Sequence, residues 1–282
     1  MDIIHDPKEL RRRTRAWRAE GRRVALVPTM GYFHAGHLAL MDRARTLADR
    51  VVVSLFVNPT QFGPTEDLDR YPRDLDHDSA LAAEHGVDLL FAPEPGAMYA
   101  ENHAAWIEVP ALGRHLCGAQ RPIHFRGVCT VVAKLFHLTA ADVAVFGQKD
   151  WQQLAILRRM VRDLDFDVEL VGQPIVREAD GLALSSRNVF LDPEERAQAP
   201  EIHAGLEKLR AMAAAGQADS AVLLAAFREH LAERLPLGRI DYAEIVDCDD
   251  IVPVPRIKGR ALAAVAVQLR RARLIDNMVL EV

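Results

Sequence analysis

Residues 24–37 read VALVPTMGYFHAGH. Val24 to Val27 form an apolar run with the look of a buried strand, and Pro28 and Gly31 end it. Leu38, Met41, Ala44, Leu47 and Ala48 then recur every three or four residues, the period of an amphipathic helix. Strand, glycine-bearing turn and helix make the first βα unit of an α/β sheet. His34 and His37 fall where that helix begins, three residues apart and so able to share one face. The unpaired N–H groups and dipole of a helix start favour an anion. Gly36 leaves room for a bulky group to approach the backbone. The competing reading, a pair of half-buried structural histidines, explains neither the glycines nor the position at a strand's end. The pair therefore reads as donors to phosphate oxygens.

The same alternation continues outward. Residues 5–20 read as a helix opened by Asp6-Pro7, and Val51–Val57 as a second strand stopped by Asn58-Pro59. A polar loop at 60–74 leads to a helix near 74–85 and a strand at Val87–Phe91. Residues 96–126 show no period and read as a functional loop or lid. A helix at 127–139, a strand at Val143–Phe146, a helix at 151–164 and a strand at Val168–Val171 complete the series. Strands alternating with helices imply a Rossmann-like parallel sheet with helices on both faces. Ligands of such sheets lie beyond the strands' carboxyl ends. Pro28–His37, Asn58–Phe62, Pro93–Gly96 and Gly147–Asp150 occupy those positions.

After residue 175 the texture changes to alanine-rich helices at 194–214 and 218–234, then strands at Ile240–Val246 and Ala261–Leu269, with RLIDN at 273–277. The expected organisation is an α/β domain over residues 1–175 and a smaller α+β domain over 176–282. The segment READGLALSSRN at their join reads as an exposed hinge.

A net charge of −5 argues against a general nucleic-acid binder, which needs a basic surface. Cys117, Cys129 and Cys248 are far apart and show no metal spacing, so they read as free thiols in a reducing compartment. With no signal peptide and no apolar run of membrane-spanning length, the cytoplasm is the expected location. GxGxxG at a strand–helix junction, GxxxxGK[ST], HExxH and GxSxG are all missing. That disfavours dinucleotide dehydrogenases, P-loop NTPases, zincins and serine hydrolases.

Gly147-Gln148-Lys149-Asp150 follows a strand and precedes a helix. Glycine admits phosphate or ribose, and Lys149, one of only five lysines among 35 basic residues, offers a compact charge. Asp150 accepts from hydroxyls or caps the helix. Leu184-Ser185-Ser186-Arg187 suits a polyphosphate, or else simply caps a short helix. Gln61 and Gln153 suit the hydroxyls of a polar substrate, and Arg121, His124 and Arg126 read as a basic edge on the long loop.

PTMGYFHAGH, FVNPTQF, RPIHFRG, FGQKDWQQL, DGLALSSRN and RLIDN, in that order from Pro28 to Asn277, resemble the pantothenate synthetase family, the pantoate–β-alanine ligases. HxGH alone would indicate only the wider nucleotidyltransferase superfamily, another member of which is the alternative reading. The resemblance implies ATP-dependent condensation of (R)-pantoate with β-alanine through pantoyl adenylate, releasing AMP and diphosphate. It implies catalytic roles for His34, His37 and Lys149, with His37 the proton donor. ATP would be bound by Met30, Gly31, Tyr32, Phe33, His34, Ala35, Gly36 and His37, and by Gly147, Gln148, Lys149 and Asp150. Val176 and Leu184, Ser185, Ser186 and Arg187 complete that set. Pantoate would meet Met30, Gln61 and Gln153, and β-alanine would meet Gln61. Magnesium would arrive on ATP with no protein ligand, and the chain would pair as a homodimer without nucleic acid or membrane. Phe33, Ala35, Gln148, Cys117-Gly118 and Ile123 depart from the family's usual residues, and none removes a catalytic group.

Overall fold

The computed structural model describes residues 1–64, 66 and 68–282. The polar loop expected at 60–74 contains Thr65 and Asp67, which lie outside the described residues. The chain runs β1 (Asp2–Ile4), α1 (Pro7–Ala19), β2 (Val24–Thr29), α2 (Ala35–Leu47), β3 (Arg50–Leu55), α3 (Leu75–Glu84), β4 (Leu89–Phe91) and α4 (Pro95–Met98). It continues α5 (Leu116–Gln120), α6 (His124–Thr139), β5 (Val143–Gly147), α7 (Trp151–Asp163) and β6 (Glu169–Gln173). Then come α8 (Pro193–Gln198), α9 (Glu201–Ala214), α10 (Ser220–Arg234), β7 (Arg239–Val246), β8 (Arg260–Gln268) and β9 (Arg273–Glu281).

Six strands form one parallel sheet in the order β1-β4-β3-β2-β5-β6. Alternate residues of β2 and β3, Ala25, Val27, Val51 and Val53, pack with Met41 and Ala44 of α2. On the other face Thr14 of α1 donates to the Leu138 carbonyl of α6 at 3.2 Å, joining those two helices. The architecture is the Rossmann-like one that the alternation predicts. The order of strands reverses between β2 and β5, which makes their carboxyl ends the switch point where such sheets bind ligands. Ala25 pairs with Val143 and Leu26 with Ala144, a register that brings Thr29 and Gly147 to the same height.

The chain separates into two compact units. One comprises residues 1–110, 121–148 and 156–174, and the other 111–120, 149–155 and 175–282. The second holds the antiparallel sheet β7-β8-β9. Leu206 and Leu209 of α9 and Phe227 of α10 pack on Ala261, Ala263, Val265 and Val267 of β8.

Several elements differ from the sequence reading for identifiable reasons. Residues 96–126 are not irregular throughout: they contain α4, a 3₁₀ turn at Pro110–Gly113, α5 and the first turn of α6. Helices this short carry no period to detect. Gly118 lies so close to Gly113 that a Cβ would meet the Gly113 carbonyl oxygen at 2.3 Å, and this closes the 113–118 turn. The single helix expected at 194–214 is two, because Pro200 has no N–H to continue the ladder. β1, only three residues long, gave no alternation, and RLIDN opens a nine-residue strand. Among the described residues no helix is long and apolar enough to cross a membrane.

Phe227 is fully buried at the centre of the second unit's core. Phe227→Ala is expected to destabilise the chain by about 3–5 kcal/mol, read as a lower urea midpoint with calorimetry as the check.

Candidate functional site

In the first unit, β2 ends at the sheet's switch point and the chain turns through Met30-Gly31-Tyr32-Phe33 into α2. Gly31 takes φ +87° and Tyr32 φ +56°, so the turn is left-handed at two successive residues. A Cβ on Gly31 would meet Asp78 Oδ2 at 3.0 Å and Leu55 Cδ2 at 3.1 Å. What holds the turn is Asp78 of α3, fully buried, which accepts from Tyr32 N–H at 2.7 Å and from Phe33 N–H at 2.6 Å. Burial raises the Asp78 pKa above the ordinary 3.8, while the two N–H bonds pull it back.

His34 is the N-cap of α2 in extended conformation. Its Nδ1 accepts from Gly36 N–H at 3.1 Å, and His37 Nδ1 accepts from His34 N–H at 3.3 Å. Both δ nitrogens are acceptors, so each neutral ring carries its proton on Nε2. The rings lie 4.2 Å apart between centroids. Phe33 is buried in the core, its ring 5.5 Å from that of His37.

Gln61 sits beside this turn on the 3₁₀ segment Pro59–Gln61 and is buried. Its Oε1 accepts from Asn58 Nδ2 at 3.1 Å and its Nε2 reaches Met30 Sδ at 3.1 Å. Asn58, also buried, donates from Nδ2 to the Gly127 carbonyl at 3.1 Å, and its Oδ1 accepts from Thr60 Oγ1 at 2.9 Å and Tyr99 OH at 3.0 Å. The Gln61 carbonyl accepts from His124 Nδ1 at 2.9 Å and Arg121 at 3.3 Å. Arg121 also pairs with Glu66. Burial alone would raise the Glu66 carboxyl, but the Arg121 guanidinium holds it below its ordinary 4.5. Arg121 and His124 thus turn inward to hold Gln61, not outward as a basic edge. Arg126 instead lies over the Trp106 ring at 4.9 Å.

In the second unit, Lys149 belongs to the 3₁₀ turn Gln148–Asp150, and its carbonyl accepts from Asn277 Nδ2 at 2.9 Å. Trp151 Nε1 donates to the Cys248 carbonyl at 2.8 Å at the start of α7. Gln152 Nε2 donates to the carbonyls of Leu112 at 2.8 Å and His115 at 2.9 Å, while its neighbour Gln153 is half-buried. Leu184 N–H donates to the Val176 carbonyl at 3.0 Å. Ser185 Oγ accepts from Arg187 N–H at 3.3 Å. Arg177 grips Asp276 through two nitrogens, at 2.7 and 2.9 Å, and also donates to the Gly181 carbonyl at 3.1 Å. Lys149, Ser185 and Asp276 line one pocket with Leu182, Ile202 and Leu274.

Of the residues nominated from sequence, Met30 to His37 and Gln61 come together in the first unit, where Gly147 ends the neighbouring strand and Gln148 opens the turn after it. Lys149 and Ser185 share a pocket in the second. Asp150 is exposed. The sequence reading did not nominate Asn58, Asp78, Arg177, Asp276 or Asn277. Asn58-Pro59 reads as a strand terminator, and Asp78 as one more polar residue of a surface helix. The burial of Asn58, Asp78, Asp276 and Asn277 is the signal, with half-buried Arg177 paired to Asp276, and it exists only in three dimensions.

Among the described residues no three His, Cys, Asp or Glu side chains gather as a metal site. The family model for pantoate-beta-alanine ligase matches residues 2–279. The chain is 59% identical to pantothenate synthetase of Desulfovibrio desulfuricans over 99% of both chains. It is 60% identical to that of Solidesulfovibrio magneticus over 98% of this chain and 97% of the relative. The crystal structure of pantothenate synthetase from Thermus thermophilus matches with a TM-score of 0.92 at 49% identity, covering 99% of each chain. A pantoate-beta-alanine ligase from Francisella tularensis, described as complexed with beta-gamma ATP and beta-alanine, matches with a TM-score of 0.80 at 29% identity over 99% and 97%.

The lowered Glu66 pKa fixes a direction for pH dependence. The Arg121 pair stabilises fully above 4.5 and its contribution is lost as pH falls through the lower folded value. Glu66→Gln is expected to melt below the parent at neutral pH, with the gap closing in strong acid. Asp78, with its raised pKa, acts oppositely: its contribution is full below 3.8 and lost as pH rises through the folded value. Thermal melts against pH check both.

Proposed function

We propose a division of labour among these residues, on the premise that the chain belongs to the pantoate–β-alanine ligase family and catalyses the ATP-dependent condensation of (R)-pantoate with β-alanine. A pantoate carboxylate oxygen attacks the α-phosphorus of Mg-ATP. The bond to the bridging oxygen breaks, diphosphate leaves with the electron pair, and pantoyl adenylate forms. The amine of β-alanine then attacks the acyl carbon, the carbon–oxygen bond to phosphate breaks, the nitrogen loses a proton, and AMP and pantothenate are released.

The observation that carries the assignment is the acceptor role of both Nδ1 atoms at the start of α2. It makes the Nε2–H groups of His34 and His37 donors by construction. They stabilise negative charge on phosphate oxygens as the α-phosphorus is attacked, with His37 donating its Nε2–H as a hydrogen bond to the departing diphosphate. Met30, Gly31, Tyr32, Phe33, Ala35 and Gly36 shape the floor on which ATP lies, largely through backbone. Preorganised donors of this kind act without reorganising during the reaction.

Gln61 grips pantoate and meets β-alanine. Because Asn58 holds its oxygen, the amide nitrogen faces Met30 and the substrate. Gln153 is the second pantoate contact. Gly147 and Gln148 allow ATP to approach, Lys149 neutralises phosphate, and Asp150 accepts from ribose. Val176 meets adenine through its backbone, where its carbonyl already takes the Leu184 N–H. Leu184, Ser185, Ser186 and Arg187 close over the β- and γ-phosphates. Magnesium belongs to the substrate, with ATP oxygens as its ligands. Residues 1–175 act as the ATP- and pantoate-binding domain and 176–282 as the lid. The free thiols Cys117, Cys129 and Cys248 support a cytoplasmic location, and the family resemblance supports a homodimer.

Omission assays test the reaction. AMP and diphosphate are expected only when pantoate is present, and formation of ADP would overturn the reading. His37→Ala is expected to slow adenylate formation by about 10²–10³-fold in rapid-quench experiments. Asn58→Ala releases the Gln61 amide and strands the partners of Asn58. It is expected to raise KM for pantoate at least about tenfold while leaving KM for ATP within about twofold.

A further inference from the structure

β9 brings Asp276 and Asn277, both nearly buried at 4% and 6% exposure, under the Lys149 turn. Asp276 is held by Arg177 through two hydrogen bonds, and its Oδ1 also accepts from the Asn277 backbone N–H at 2.8 Å. The carboxylate thus accepts three hydrogen bonds, and one of them ties down the backbone from which the Asn277 side chain leaves. That side chain donates to the Lys149 carbonyl at 2.9 Å. Arg177 meanwhile reaches the Gly181 carbonyl, at the base of the segment leading to Leu184–Arg187. Lys149, Ser185 and Asp276 face one pocket. One ion pair, between Arg177 and Asp276 of β9, therefore ties together the turn that carries Lys149 and the base of the serine–arginine segment.

We propose that Asn277 is a positioning residue for adenylate formation: its amide, seated on the Arg177–Asp276 pair, fixes the Lys149 turn so that the ammonium is aimed at the phosphates of ATP. The proposal rests on the phosphate role of Lys149 given above. Asn277 touches no substrate. It acts on the first half-reaction, where the triphosphate is bound, and not on the attack of β-alanine. A long lysine side chain gains rate only when its stem starts from a fixed place, since misplacement by about 1 Å already costs large factors in rate.

Asn277 is the residue to change, because removing Asp276 would strand a half-buried guanidinium and disturb more than it tests. Asn277→Ala is expected to raise KM for ATP about tenfold and to slow pantoate-dependent exchange of diphosphate into ATP by a similar factor, the scale of one hydrogen bond. The single-turnover reaction of supplied pantoyl adenylate with β-alanine should stay within about twofold of the parent. Asn277→Asp, of the same shape, sets a carboxylate oxygen against the Lys149 carbonyl and should be slower still in exchange. In the Lys149→Ala background, Asn277→Ala should add less than about twofold, since it acts through Lys149. Equal losses in both half-reactions with a matching fall in Tm would reduce Asn277 to a structural part and overturn the proposal. So would full additivity with Lys149→Ala. If Lys149→Ala by itself left exchange unchanged, the phosphate role beneath the proposal would fail instead, and the single variants tell these failures apart.

Discussion

At the start of α2 the backbone N–H groups of Gly36 and His34 donate to imidazole Nδ1 atoms, of His34 and His37 respectively. A helix must satisfy its first N–H groups somehow, and most helices use serine, threonine or aspartate. Here histidines do it, and the capping requirement settles the tautomer. The same bonds that start the helix leave Nε2 protonated on both rings. Stability and chemistry are joined at one place, so the turn before the helix must be correct to within a fraction of an ångström. Asp78 meets that demand by accepting two successive N–H groups across a left-handed turn.

Gln61 shows the same economy with a neutral group. A buried primary amide has no intrinsic orientation, because oxygen and nitrogen are similar in size. Asn58 removes the ambiguity by donating to its oxygen, and His124 and Arg121 hold the backbone behind it. Gly127 is part of this arrangement: a Cβ there would lie 2.5 Å from the Thr60 carbonyl oxygen, so α6 can approach the Gln61 segment only as glycine. In the second unit a charged pair takes the corresponding role. Asp276 is buried and Arg177 half-buried, and each is satisfied by further hydrogen bonds, the condition under which a pair withdrawn from water is tolerable.

The order and kind of the large elements were legible in the sequence. β2, α2, β3, β5 and α7 announce themselves by apolar runs and helical periods long enough to outweigh local noise, and the glycines and prolines between them mark the turns. His34, His37, Gln61 and Lys149 could be nominated because each follows a strand whose end is a predictable place for a ligand. The elements that escaped, β1, α4 and α5, are too short to show a period. The break at Pro200 was hidden by an alanine-rich pattern that continues across it.

By itself, then, the chain determined a parallel α/β sheet, a helix start carrying two histidines and the family to which these motifs belong. Those follow from local spacing, which a linear string records in full. Only the tertiary structure decided which groups hold the reactive ones in place. Asn58 and Gln61 are near in sequence, but their other partners, Tyr99 and Gly127 for Asn58 and Met30 and His124 for Gln61, come from other parts of the chain. Asn277 meets Lys149 across 128 positions, and Asp276 meets Arg177 across 99. Burial turns such ordinary asparagines and aspartates into positioning groups, because a polar atom removed from water must find its partner wherever the fold has brought one.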